Sequence, residues 1–311
     1  MPVAEEEVLP SRVADRVAGV CAVFITYHPG PEVIANLRAV RPQVRRMIVV
    51  DNESSAASRA FLSGAFAGDA AVELLFNAEN RGIATALNQG IARAVAAGHD
   101  WIATFDQDST APDGYIAGLL AGGTDYPGTR RIAILAPLYR DRHLGMVFSP
   151  GGPLPAGSRD TVPVSVTATS GNLVAAAAWR EVGGFREDLF IDCVDFEFCL
   201  RCRRAGWLVL EVRTVLLEHA AGRWQQRRWL WKNPRFNDYP AVRRYYQARN
   251  RLIVLVRYLG FDPRWVLRDA WGYGCDFLKL LLFCGERGPK LRATATGFWD
   301  ALTGRRGPWR P

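Results

Sequence analysis

Two groups of acids in this chain have the types and spacing that chemistry needs. The first is Asp106-Gln-Asp108, two carboxylates one residue apart, directly after the apolar run Ile102–Phe105 and before Ser-Thr-Ala-Pro-Asp-Gly. An apolar run of that length, closed by turn formers, predicts a buried strand opening into a loop. Open α/β sheets collect ligands at such carboxyl ends. Paired carboxylate oxygens there suit a hard cation, Mg²⁺ or Mn²⁺, which in turn grips a diphosphate. The same acids would serve as caps of the next element. The second group is Asp192, Asp195 and Glu197, at the entry to a helical pattern running from about Val194 to Ala205. A carboxylate in a first turn is favoured by the helix dipole, so Asp195 reads as a capping acid unless chemistry claims it. Glu197 is spaced to pair with Arg201 at i,i+4. His219 stands alone after an apolar run, a position that is structural in most proteins.

The counter-charge is concentrated. The chain carries a net charge of +8, and Arg223–Arg257 holds ten Lys and Arg against the single acid Asp238. Such a block attracts phosphates of a nucleotide ligand, a nucleic acid or an anionic lipid, or else it is a solvated basic face. Its interleaved aromatics are also what a single-strand nucleic-acid site requires.

The elements that position these residues alternate. Strands are expected at Val17–Ile25, Met47–Val50, Val72–Phe76, Ile102–Phe105, Ile132–Pro137, Val164–Ala168 and Trp207–Val212, the last followed by Val215–His219. Helices are expected at Glu32–Val40, Ser58–Phe66, Ile83–Ala97, Ala175–Val182 and Val194–Ala205. Strands alternating with helices predict βαβ units and a largely parallel sheet. Polar clusters then gather at one edge: Thr26 and His28, Asp51 and Asn52, Asn77, Asn80 and Arg81, Asp106 and Asp108. No G-x-G-x-x-G follows the first strand, which argues against a dinucleotide site. Val147–Val162, rich in Gly and Pro, reads as a mobile connection.

Length and composition, 311 residues with 49% hydrophobic and 23% charged, fit a globular chain of one large domain with an extension. The six scattered cysteines lack a completed zinc pattern and are expected to be reduced, in a cytosolic chain. Met1–Arg16 is acidic and has no apolar core, so no signal peptide is expected. No uncharged apolar run is long enough for a membrane span. Beyond Phe261, two amphipathic stretches carry apolar faces with Arg264, Arg268 and Lys279 interspersed. They fit a membrane interface, packing on the main domain, or pairing of two subunits into a homodimer.

Taken in order, these pieces resemble the inverting nucleotide-sugar glycosyltransferases of family 2, with the GT-A fold, and bacterial rhamnosyltransferases among them. The resemblance is carried by Thr26-Tyr-His-Pro, Val49-Val-Asp-Asn52, Asn80-Arg-Gly-Ile-Ala84 with Leu87-Asn88, and Phe105-Asp-Gln-Asp-Ser109. It continues through Ser170-Gly-Asn172, Val182-Gly-Gly-Phe185, Leu189-Phe-Ile-Asp-Cys-Val-Asp-Phe-Glu197, His219 and Tyr245-Tyr-Gln-Ala-Arg-Asn250. Glu53 stands where this pattern usually has Gly, which bears on the shape of that turn. The resemblance implies a GT-A domain over 18–257, between a flexible start at 1–17 and a helical extension at 258–311. It implies Asp195 as general base, and Asp51 with Thr26 at the nucleotide base. Asn80, Arg81, Asp106, Asp108 and Arg249 would serve the rest of the donor. Gly171, Asn172 and Asp192 would face the acceptor. Asp108, Asp106 and His219 would hold Mg²⁺ or Mn²⁺. The expected donor is dTDP-L-rhamnose, with a UDP-sugar such as UDP-galactose or UDP-glucose as the alternative. The expected acceptor is a glycan or lipid-linked glycan of the bacterial surface. The expected location is the cytoplasm or, peripherally, the inner face of the membrane. No nucleic-acid partner is expected, because the basic window carries the transferase motif and no nucleic-acid module.

Overall fold

The computed structural model describes residues 17, 19–127, 131–142, 145–149, 159–219, 224–226 and 234–309. The expected flexible start therefore lies almost wholly outside the described residues. So do most of the Gly/Pro-rich connection and part of the basic window.

The first half alternates as its apolar periods require. β1 (Val20–Thr26), β2 (Arg46–Asn52), β3 (Val72–Asn77) and β4 (Trp101–Asp106) are linked by α1 (Val33–Val40), α2 (Ala56–Ala65) and α3 (Ile83–Ala96). These four strands run parallel in the order β3-β2-β1-β4. Side chains of a strand alternate between faces, so β1 feeds two cores. Cys21, Val23 and Ile25 pack with α3 on one side, while Val20, Ala22 and Phe24 pack with Val33, Leu37 and Leu62 on the other. Burial on both faces explains why β1, β2 and β4 read as continuous apolar runs, while β3 at the edge is only half-buried.

The second half is mixed. α4 (Tyr115–Thr124) leads to β5 (Ile132–Asp141), β6 (Val147–Phe148), β7 (Thr161–Pro163) and β8 (Asn172–Ala175). After α5 (Ala176–Val182) and α6 (Val194–Arg204), β9 (Leu208–His219) crosses the sheet. The nine-stranded sheet continues β4-β8-β5-β9-β7, with β6 beside β5. β8 runs antiparallel to both β4 and β5, whereas β5 and β9 are parallel. β10 (Trp224–Gln226) and β11 (Arg235–Asn237) form a separate hairpin pair. The chain ends in α7 (Ala241–Tyr258), α8 (Pro263–Phe283) and α9 (Arg287–Thr303).

Three expectations change. The strand expected at Val164–Ala168 is irregular backbone between β7 and β8, because Thr161–Pro163 takes the edge of β9 first. The runs Trp207–Val212 and Val215–His219 are one strand, β9, with a register shift near Pro137 and Leu138 of β5. α4 and α7 carry no matching expectation. α4 is rich in Gly and Ala, and its Gly118, Gly122 and Gly123 let Val215, Val212 and Leu135 press against its backbone.

Candidate active site

β1, β2 and β4 deliver their last residues to one edge, where a cleft of about 750 Å³ opens. Thr26, Asn52, Asn80, Asp106, Asp108, Asp195 and His219 line it, with Tyr239 and Arg243 from the entry of α7.

The carboxylate end is compact. Oxygens of Asp106 and Asp108 and a ring nitrogen of His219 lie within 4.8 Å of one another. The β5–β9 pairing brings His219, the last residue of its strand, to this point. Ser109 Oγ sits 2.9 Å from His219 Nδ1, and His219 Nδ1 is 3.4 Å from Asp108 Oδ1. That oxygen of Asp108 is buried and has no hydrogen-bond partner among the described residues. A buried carboxylate oxygen without a hydrogen-bond donor is costly by itself, and a cation is one group that would satisfy it. Burial pushes the Asp106 carboxyl up to about 6; His219 opposes this, Asp108 adds to it and Arg243 opposes it again. Two carboxylates, one imidazole and open space are a donor set that Mg²⁺ or Mn²⁺ accepts.

Across the cleft, Asp195 sits in the first turn of α6 and accepts a bond from the Phe196 N–H at 2.8 Å. Burial raises its carboxyl to about 7; the Phe196 N–H opposes that and the neighbouring Asp192 charge adds to it. A carboxyl poised there exchanges protons near neutrality, which a capping acid does not need. Glu197 does form the expected pair with Arg201, at 2.9 Å, but fully buried, with Tyr258 donating to its other oxygen.

The turn before α6 is strained. Phe190, Asp192 and Cys193 all have positive φ, at 67°, 64° and 61°. Each such residue costs on the order of 1–3 kcal/mol and persists only where its surroundings hold it. The clamp is α7. Asn250 Nδ2 donates to the carbonyls of Leu189, Ile191 and Asp192, and Arg249 donates to those of Asp188, Leu189 and Gly307. Gly82 makes the close approach on the other side, since a Cβ there would overlap Phe190.

Arg249, expected on the donor side, lies outside the cleft lining. It is 0% exposed and its guanidinium is spent on backbone carbonyls. The cleft is faced instead by Arg243, which holds Asp192 through two bonds of 2.8 Å. Helical period accounts for the difference. Arg243, Gln247 and Arg251 follow at i, i+4 and i+8 on the face toward the site, and Arg249 lies on another.

Other expected residues separate as well. Asp51 is fully buried and does not line the cleft. Its oxygens accept from Thr26 Oγ1, Ser54 N and Ser54 Oγ, and Arg59 stands 3.4 Å away. It braces the strand end from within; Thr26 and Asn52 line the cleft although only 0% and 4% exposed, and Tyr27 and Asn80 present more surface. Asn80 bonds Asn52 Nδ2 and Gly82 N through its side chain. Arg81 gives its backbone N–H to Asn52 while its side chain is exposed outside the lining. Glu53 takes φ of 76°, so the glycine-type turn is kept at some strain, and its carboxylate accepts from Asn80 N. Gly171 and Asn172 lie behind the cleft, where Tyr115 donates to the Gly171 carbonyl and Asn172 bonds the Ala168 carbonyl. They support the wall and line neither the cleft nor the adjoining recess. Arg243, Tyr239 and Asn52 lacked an individual role in the sequence reading; the spacing along α7 was the available signal for Arg243.

The family described as Glycosyl transferase family 2 matches residues 21–126. The chain is 30% identical over 251 residues to the dTDP-rhamnosyl transferase RfbF of Shigella flexneri, covering 76% of this chain and 80% of that one. The chain belongs to glycosyl transferase family 2. A second relative is the N-acetylglucosaminyl-diphospho-decaprenol L-rhamnosyltransferase of Mycobacterium tuberculosis. It is 28% identical over 238 residues, with 64% of this chain and 75% of that one covered. Among solved structures, the mannosyltransferase PcManGT of Pyrobaculum calidifontis, in complex with GDP-Man and Mn²⁺, superimposes with a TM-score of 0.54 at 14% identity. That match covers 92% of this chain and 86% of that one. GalNAc-T7, solved with UDP, GalNAc and Mn²⁺, also gives 0.54 at 14% identity, over 65% of this chain and only 44% of its own. These likenesses establish the GT-A fold.

Proposed function

We propose that this family 2 glycosyltransferase is a metal-dependent inverting enzyme that moves L-rhamnose from dTDP-L-rhamnose to a hydroxyl of a bacterial surface-glycan acceptor. The observation that carries the reading is the opposition, across one cleft, of the Asp106/Asp108/His219 donor set and Asp195. The named activity of the Shigella flexneri relative supports the choice of sugar nucleotide. The nucleotide lies over the ends of β1 and β2, against Thr26, Tyr27, Asn52 and Asn80. Asp106, Asp108 and His219 would hold Mg²⁺ or Mn²⁺, which would supply neutralisation of the diphosphate as it leaves.

The chain's own residues do the rest. Asp195 accepts the proton of the acceptor hydroxyl as that oxygen bonds to the anomeric carbon and the carbon–oxygen bond to the diphosphate breaks. Attack from the side opposite the leaving group inverts the configuration. Arg243 places a fixed positive charge between Asp106 and Asp192, where negative charge develops. The acceptor enters beside Asp192, through the adjoining 390 Å³ recess.

α8 supports a peripheral membrane position. Leu267, Trp271, Leu278, Leu281 and Leu282 are exposed at helical spacing, Trp271 at 77%, with Arg264 and Arg268 exposed on the same helix. Apolar side chains with adjacent cations fit the interface of an anionic bilayer. Among the described residues no helix is long and apolar enough to cross a membrane.

A thermal-shift series with dTDP, UDP and GDP, each with Mg²⁺, tests the donor class by mass action. The expected result is the largest rise with dTDP. A larger rise with UDP would transfer the assignment to a UDP-sugar, and no rise with any of the three would refute the nucleotide-sugar reading.

A further inference from the structure

Tyr245 and Tyr246, which open the stretch Tyr245-Tyr-Gln-Ala-Arg-Asn250, are buried but line neither the cleft nor the recess. Both are engaged by chain from beyond α9. α9 packs along α7, where Gly297 brings its backbone against the Tyr245 carbonyl and Asp300 accepts from Tyr245 Oη at 2.7 Å. Gly304 ends α9 in the left-handed region, at φ of 83°, and Gly307 takes 82°. Glycine adopts both without a Cβ penalty, and Pro308 cannot continue a helix. Residues 305–309 thus come back onto α7 and the turn before α6. Gly307 N donates to the Asp188 carbonyl at 2.9 Å, and its own carbonyl accepts from Arg249 Nη1 at 2.6 Å. Trp309 N donates to Tyr246 Oη at 2.8 Å, and the indole stacks on the Tyr245 ring with centroids 4.9 Å apart.

The contacts continue to the site. Tyr246 stacks on Phe190, with centroids 5.2 Å apart and the rings 14° from parallel. Phe190 lines the cleft, holds positive φ and accepts from the Ile83 N–H at 2.8 Å. Asp192, Cys193 and Asp195 follow it directly. Backbone in disfavoured φ keeps its shape only where its surroundings hold it, and a reacting group misplaced by about 1 Å costs roughly a hundredfold in rate. Trp309 is half-buried in the small cluster around Tyr245 and Tyr246, apart from both main cores, so its removal opens no cavity beside the sheet. We propose that residues 305–309 form a clasp on the active-site turn and that Trp309 is a positioning residue for Asp195. It acts through Tyr246 and Phe190 and touches neither donor nor acceptor. This rests on the glycosyl-transfer reading above, in which Asp195 takes the proton.

The test compares the full chain with Trp309→Ala, Trp309→Phe and, as a control, Trp299→Ala, which removes an exposed indole from α9. Hydrolysis of dTDP-L-rhamnose with Mg²⁺, read as released dTDP, gives kcat and KM with water in the acceptor's place and its proton going to Asp195. Where UDP binds more tightly than dTDP, UDP-glucose replaces that donor. Trp309→Ala is expected to lose fivefold or more in kcat, with KM and calorimetric nucleotide affinity within twofold of wild type. Amide exchange at 188–193 should quicken in that variant. Trp309→Phe keeps a stacking ring and should restore both readouts, and Trp299→Ala should change neither. Unchanged kcat or unchanged exchange in Trp309→Ala, or equal losses in kcat and nucleotide affinity, would overturn the proposal. If Trp309→Ala does not fold, Gly307→Ala decides. Its methyl meets open space but suits φ of 82° poorly, so it disturbs the clasp alone and must lower kcat in the same way. A wild-type protein that binds neither nucleotide refutes the glycosyl-transfer reading, whereas the exchange comparison still decides the clasp, so the two failures are distinct.

Discussion

Asp195 owes its chemistry to its surroundings. Burial beside Asp192 holds its carboxyl up to about 7, against an ordinary value of 3.8. The working form is the carboxylate, so the transfer rate should climb roughly tenfold per pH unit below about 7 and level off above it. A pH profile flat between 5 and 8 would contradict that. The stability linkage has the opposite sign. The folded state holds this proton more tightly than the unfolded chain, so the contribution is fully present below the ordinary carboxylate range and is lost as pH rises toward 7. Asp195→Asn removes that loss, and melting temperatures of wild type and variant should diverge in the variant's favour as pH rises. The same variant should lose about a hundredfold or more in turnover, with nucleotide affinity within about twofold of wild type. Rates and calorimetry on one preparation check both. Near-normal turnover would move the base elsewhere, although Asp192, the nearest other acid, is already held by Arg243.

At the scale of elements, the site depends on α7 as much as on the strand ends. Asn250→Ala removes three bonds to the turn that carries positive φ at Phe190, Asp192 and Cys193. We expect a turnover loss of tenfold or more with little change in nucleotide binding, and faster amide exchange at 189–193. Unchanged turnover would show that the turn holds its own shape. The parallel half of the fold was legible because β1, β2 and β4 are buried on both faces and end in polar clusters. Asp106 and Asp108 stand at the strand end where the apolar run placed them, although a pair there would equally cap the next element. His219 joins them through long-range pairings, β5 with β9 and the Thr110–Glu218 bridge, and no local pattern specifies that contact. Motif order cannot say which face of a helix meets the site: Arg243, Gln247 and Arg251 line the recess at i, i+4 and i+8, while Arg249, expected on the donor side, donates to backbone carbonyls. Asp51, expected at the nucleotide base, accepts from Thr26 and Ser54 within the fold, since a polar residue at a strand end can brace the chain from within as well as face a ligand. The short edge strand β7 and the antiparallel β8 depend on long-range partners, which the alternation of apolar runs does not encode.

For the whole molecule, the proposed nucleotide cleft and acceptor recess adjoin, and α8, with its exposed apolar side chains, lines the recess. Replacing Trp271 and Leu278 by Asp should release the protein from vesicles of anionic lipid in co-sedimentation, without changing nucleotide affinity. If light scattering instead shows a dimer that these substitutions split, α8 pairs two copies and does not meet lipid. The central claim is that Asp106, Asp108 and His219 hold the cation through which the diphosphate binds. Its most direct test is calorimetric titration of dTDP into wild type and Asp108→Ala, each with Mg²⁺ and with EDTA. Wild type should bind at least tenfold more tightly with Mg²⁺, and Asp108→Ala should lose that difference while keeping its fold. Equal affinities in all four titrations would contradict the claim.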